Sequence, residues 1–141
     1  MTKLFVYYDE EGDYLEINIG GYSYGSFEEI EEGILECIHE KDKIIGIMII
    51  GFNNKIRNLK EIKLPFFMKS HLTIYYDEES DFLEIFIGKP TKSIATEIEP
   101  GIFIRKDEKT NELKSIEILG FKKRTKNLED IEINLPIEVV S

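Results

Sequence analysis

The sequence predicts an all-β protein with minor short helical turns: two similar four-stranded antiparallel meanders packed as a pseudo-two-fold sandwich or flattened barrel. Three observations predict it. The chain repeats itself at a fixed offset, its apolar residues alternate with polar ones at the period of a strand, and Pro-Gly interrupts the segment that most resembles a helix.

The repeat is long and ordered. Tyr7-Tyr8-Asp9-Glu10-Glu11-Gly12-Asp13-Tyr14-Leu15-Glu16-Ile17 returns as Tyr75-Tyr76-Asp77-Glu78-Glu79-Ser80-Asp81-Phe82-Leu83-Glu84-Ile85, 68 positions later. The same offset aligns Glu29-Ile30-Glu31-Glu32-Gly33-Ile34 with Glu97-Ile98-Glu99-Pro100-Gly101-Ile102. One extra residue after Lys109 moves the offset to 69, where Ile47-Met48-Ile49-Ile50-Gly51-Phe52 matches Ile116-Glu117-Ile118-Leu119-Gly120-Phe121. A Leu-Pro pair closes each copy, at Leu64-Pro65 and Leu135-Pro136. This pattern predicts a tandem duplication, with residues 1–68 as the first β-meander repeat and 69–141 as the second, together one compact unit.

Within a copy each element has its own signal. Leu4, Val6 and Tyr8 alternate with Phe5 and Tyr7 in a β-branched and aromatic run, which favours a strand. Asp9-Glu10-Glu11-Gly12-Asp13 suits a tight turn. Leu15, Ile17 and Ile19 alternate with Glu16 and Asn18, as in a strand with one wet face. Phe27 to Glu40 reads as a third strand, with a bulge or kink at Glu32-Gly33. Lys41-Asp42-Lys43 then turns the chain into a fourth strand, Ile44 through Phe52. Asn58 to Ile62 and Asn127 to Ile131 each suit one helical turn with Asn as cap, followed by an extended piece through Leu-Pro. Glutamates give Glu28 to Glu36 some helical propensity, but its copy holds Pro100-Gly101, which breaks a helix. The strand reading wins.

Two copies have a physical rationale. A unit of about 65–70 residues buries only about 60% of its unfolded surface and is marginal alone. A sheet with one apolar face needs a cover, and a second such sheet supplies it. The expected assembly is a monomer acting as a pseudo-dimer, or a homodimer.

Composition limits the function. Asp and Glu number 28 against 18 Lys and Arg, a formal net charge of −10 on 141 residues. The acidity is shared, −6 in residues 1–68 and −4 in 69–141, so neither half is a charged tail. Such a surface repels phosphate backbones and anionic lipid, which argues against nucleic acid and membrane partners and for a basic protein partner. One cysteine, Cys37, cannot form an internal disulfide. The chain reaches Asp9 without an apolar signal-peptide core and has no run near the roughly 20 residues of a membrane span, so the expectation is a cytoplasmic protein.

Several clusters invite a chemical reading. Asp9, Glu11 and Asp13, and their copies Asp77, Glu79 and Asp81, are spaced like ligands for a hard cation. Position 12 of a calcium loop counted from either Asp is glycine, however, and acids are ordinary in hairpin turns. Cys37 and His39 share a strand face, but two ligands are too few for structural zinc, and a half-buried thiol beside a surface imidazole is the plain reading. No phosphate loop, nucleophile elbow or dinucleotide fingerprint is present, so no catalytic residue, metal or cofactor is assigned. Lys122-Lys123-Arg124 and Lys126 form one basic block, read as a solvated loop. Tyr22 and Tyr24 lie on a glycine-flanked loop that suits contact anchors and equally a lid folded back over the core.

The ordered set Tyr76-Asp77, Asp81, Leu83, Ile85, then Glu97 to Ile102, then Ile116 to Leu119 resembles the family known as domain of unknown function 2283. The first copy matches at Tyr8-Asp9, Asp13, Leu15 and Ile17, with Glu32 where the family usually has Pro. The resemblance covers nearly the whole chain once per copy, although members are usually single-copy. It implies the fold and almost no chemistry. Some members look like the small partner encoded beside a compact ribonuclease-like toxin, which implies an antitoxin-like role.

The expectation is therefore a non-enzymatic acidic binding protein that neutralises a basic protein partner. Its contact residues would be Tyr22, Tyr24, Glu28, Glu29, Glu31 and Glu32, with Glu97 and Glu99 in the second copy. The alternative is a divalent-metal-dependent hydrolase using the clustered turn carboxylates.

Overall fold

The computed structural model describes residues 2–20, 26–39, 44–59, 61–67, 70–126 and 131–135. The first half gives β1 (Thr2–Asp9), β2 (Tyr14–Ile19), β3 (Ser26–Glu31), β4 (Ile34–Ile38), β5 (Ile44–Ile50), α1 (Phe52–Leu59) and β6 (Glu61–Phe67). The second gives β7 (Ser70–Asp77), β8 (Phe82–Ile87), β9 (Ser93–Glu99), β10 (Ile102–Asp107), β11 (Leu113–Leu119), α2 (Phe121–Arg124) and β12 (Ile131–Leu135). The all-β expectation stands. The strands form two open six-stranded antiparallel sheets rather than a closed barrel.

The strand order corrects the simple meander. One sheet runs β12-β1-β2-β5-β4-β3 and the other β6-β7-β8-β11-β10-β9. Phe27 to Glu40 is not one kinked strand: Glu32-Gly33 is a hairpin turn that separates β3 from β4. Gly33 has φ 77° and its counterpart Gly101 φ 78°, the left-handed region that favours glycine at a turn's second corner. The bulge lies one step earlier. Pairing shifts between Glu29 and Glu31, leaving Ile30 extra, and Ile98 is skipped in the same way between Glu97 and Glu99. With the extra hairpin formed, β5 returns between β2 and β4 and becomes a central strand, with Ile45, Ile47 and Ile49 buried.

The last strand of each half joins the sheet built by the other half. β6 extends the sheet that begins with β7, and β12 pairs with β1 from Thr2↔Leu135 to Val6↔Ile131. One compact unit is built on residues 1–54 and β12, the other on residues 55–66 and 70–123. The extended pieces expected at the Leu-Pro pairs are β6 and, as far as Leu135, β12, Pro136 lying outside the described residues; Pro65 lies on an edge strand, where a missing N–H is tolerated.

Period-two alternation fills both cores. In the first sheet Leu4, Val6 and Tyr8 pack with Leu15, Ile17 and Ile19, and with Ile131, Ile133 and Leu135. In the second, Leu72, Ile74 and Tyr76 pack beside Leu83, Ile85 and Ile87. The helices begin earlier than expected. α1 starts at Phe52 straight after Gly51 (φ 73°), so Asn58 lies in its last turn rather than at its start, and β5 stops at Ile50. Asn127 lies outside the described residues, and Ile131 opens β12.

Replacing Gly33 or Gly101 with Ala forces a Cβ into the left-handed region. Each change is expected to lower unfolding stability by about 1 kcal/mol, read from urea melts, with the β-sheet circular dichroism unchanged.

Candidate functional site

The acidic turns are the first place to look. β1 and β2 pair through Asp9↔Tyr14, and Asp13 closes the intervening loop at φ 51°; Asp81 does the same at φ 54°. Aspartate is among the few side chains that adopt this region readily. The conformation sends Asp13 towards the start of α1. Its carbonyl accepts the Gly51 and Phe52 amides at 2.8 and 3.2 Å, and its Oδ1 accepts the Asn53 amide at 3.0 Å. The Tyr8 hydroxyl donates to the same oxygen at 2.7 Å and accepts Asn53 Nδ2 at 2.8 Å.

The second half repeats this arrangement. The Phe121 amide donates to the Asp81 carbonyl at 3.1 Å, and the Lys122 and Lys123 amides donate to its carboxylate at 2.8 and 3.2 Å. The Tyr76 hydroxyl donates to Asp81 Oδ1 at 2.6 Å, and Lys122 Nζ lies 5.0 Å from the centre of the Tyr76 ring. Tyr8 packs edge-on against Phe52, and Tyr76 against Phe121, at 5.8 and 6.0 Å. Burial, followed by the hydrogen bond to Asp13, holds the Tyr8 phenol well above its ordinary range, while the Asn53 amide pulls it back.

These carboxylates act as helix caps supplied from a distant turn. A helix start leaves amides without intrahelical acceptors and favours negative charge. Three further turn aspartates brace their own loops. Asp9 accepts the Gly12 amide at 2.9 Å, Asp77 accepts the Ser80 hydroxyl at 2.6 Å, and Asp107 accepts the Lys109 and Thr110 amides at 2.8 Å. The Thr91 hydroxyl, then those two amides, hold Asp107 well below the usual carboxylate range. Among the described residues no group of three or more His, Cys, Asp or Glu is placed to hold a metal ion.

The proposed contact residues divide into three groups. Tyr22 and Tyr24 lie outside the described residues. Glu28, Glu29 and Glu31 are exposed on β3, the edge strand of the first sheet, and Glu32 is exposed in the turn after it. Glu97 is exposed and Glu99 half-buried on β9, the matching edge of the second sheet. Glu29 and Glu97 also brace their own turns, accepting the Gly33 amide at 3.3 Å and the Gly101 amide at 3.1 Å. Cys37 is buried at 1% exposure in β4 rather than half-buried, with His39 just past the strand.

Sequence reasoning missed two charge clusters that only strand register creates. On the second sheet Glu84 faces Glu117 across β8 and β11, and Arg105 Nε donates to Glu117 Oε1 at 2.8 Å. Burial, then repulsion from Glu117, raises the Glu84 carboxyl, while the Ser115 hydroxyl and Arg105 oppose that rise. On the first sheet Glu28 faces Glu36 across β3 and β4. Glu36 occupies the place of Ile104, which is 2% exposed in the second half. Burial, then Glu28, raises Glu36.

Replacing Asp13 or Asp81 with Ala is expected to cost about 1–3 kcal/mol of unfolding stability, because helix amides and a buried phenol lose their acceptor. Asp9→Ala, at an exposed turn, should stay within about 0.5 kcal/mol in the same melts. The raised carboxyls give a pH signature. Glu36 and Glu84 contribute stability that is present below the unfolded carboxyl pKa, about 4.3, and is lost as pH rises through their higher folded values. Glu84→Gln and Glu36→Gln are therefore expected to stabilise the protein at neutral pH and to match it in acid, measured by melts across that range.

No curated protein and no solved structure matches the chain. Residues 73–122, which run from β7 to the start of α2 and include Asp81, Glu84, Arg105 and Glu117, match the model of a family described as a protein of unknown function, DUF2283.

Proposed function

We propose that this chain is a non-enzymatic acidic binding protein that covers a basic protein partner, antitoxin-like in role and acting in the cytoplasm. One observation carries the reading: Glu28, Glu29 and Glu31 stand exposed together on a sheet-edge strand, with Glu32 exposed beside them. The turn aspartates Asp9, Asp13, Asp77, Asp81 and Asp107 are taken up by backbone amides or hydroxyls, whereas Glu28 and Glu31 stand exposed on an edge strand. The formal charge of −10 adds a long-range field that speeds encounter with a cationic surface and selects partners by sign.

We also read the two halves as a tandem duplication of the family's unit. Support comes from the offsets of 68 and 69 in the sequence, the matched strand orders and the two Tyr–Asp–helix arrangements. The alternative of a divalent-metal hydrolase is weaker, because Asp13 and Asp81 already accept helix amides.

The test is binding to the neighbouring gene's product and to a panel of basic proteins at increasing salt. The expected result is binding that weakens as salt screens the charges, and about a tenfold loss in the Glu28→Lys, Glu31→Lys double variant. No salt-sensitive binding to any basic protein would refute the reading. Millimolar magnesium, calcium or manganese should leave the melting temperature unchanged, whereas a rise of several degrees would favour the hydrolase.

A further inference from the structure

We propose that β3 takes up an extended basic segment of the partner as an added antiparallel strand, with cations opposite Glu28 and Glu29 and an apolar residue opposite Phe27. The inference rests on the binding function above and specifies how that surface is used. The main chain supplies the template. β3 ends its sheet, and its register with β4 is regular from Ser26↔Ile38 through Glu29↔Leu35. In an antiparallel ladder alternate residues turn their N–H and C=O groups to opposite sides, so half of those groups over Ser26–Glu29 point away from β4. The bulge at Ile30 limits the regular edge to this stretch.

Side chains select the occupant. Phe27 is 45% exposed, and it shares a face with Glu29 while Glu28 lies on the other. An added strand therefore meets acid on both faces and one aromatic patch. Glu28 already faces Glu36 directly, a like-charge cross-strand pair that costs stability. A cation opposite Glu28 extends that row and neutralises it. A second copy of this chain is the wrong occupant, since antiparallel pairing of β3 with itself brings Glu28 and Glu29 of the two copies together. The other edge differs: β9 carries Ile94, Ala95, Thr96 and Glu97 in these positions, with Ile94 60% exposed, so it lacks the paired acids that call for a basic strand.

The probe is an octapeptide of two Lys-Lys-Val-Thr units, compared with the same peptide N-methylated at every backbone amide. Charge is retained in the second peptide and strand hydrogen bonding is lost. The unmethylated peptide is expected to slow amide exchange at residues 26–29, and methylation or the Glu28→Gln, Glu29→Gln double variant should weaken its binding by about tenfold. Glu108→Gln, in the exposed turn after β10, should change nothing. Equal binding of both peptides overturns strand addition but leaves the acidic-binder reading intact. Failure of both peptides, joined to an absence of salt-sensitive binding to basic proteins, overturns the two together. A free protein that already sediments as a dimer with residues 26–29 protected assigns the edge to a second copy and also overturns the proposal.

Discussion

A helix must satisfy the amides of its first turn, and in this chain the acceptor comes from a turn some forty residues earlier. Asp13 reaches α1 and Asp81 reaches α2 because both adopt a positive φ that aims carbonyl and carboxylate at the helix start. A tyrosine from the preceding strand donates to the same carboxylate, and its ring packs against the helix's first phenylalanine. One side chain thereby ties a hairpin, a core aromatic and a helix together. The placement of β5 and β11 follows, since each leads directly into the helix that is held.

This constraint sorts the acids. A chain with 28 carboxylates invites readings as a metal site or a catalytic pair. The turn aspartates Asp9, Asp13, Asp81 and Asp107 serve as backbone acceptors. Glu84 and Glu117 form a cross-strand pair on a sheet face, partly neutralised by Arg105. What remains conspicuous is β3, whose acids are exposed on the strand that ends its sheet among the described residues. Charge and an edge position coincide there, which is why the functional proposal rests on that strand rather than on the turns.

Much of the fold was legible in the sequence. Alternation placed β1 and β2 and their copies, and Pro100-Gly101 ruled out a helix that glutamate propensity alone would have allowed. Interior glycine suggests a bulge as readily as a turn, so the sequence predicts one strand where the chain makes two. Alternation says which face a residue takes and nothing about which strand lies beside it; the β2–β5 neighbourhood and the transfer of β6 and β12 between sheets were therefore hidden. The helix starts were hidden for a related reason, because their caps come from Asp13 and Asp81 rather than from a local asparagine. Glu28 and Glu36 are eight residues apart and face each other only once the hairpin sets its register.

The central claim is that the turn carboxylates are structural and energetically joined to the buried tyrosines. A double-mutant cycle on Tyr8→Phe and Asp13→Ala, repeated on Tyr76→Phe and Asp81→Ala, measures that link most directly. The account predicts a coupling of about 1 kcal/mol in both halves. Losses that simply add, in either half, would contradict it.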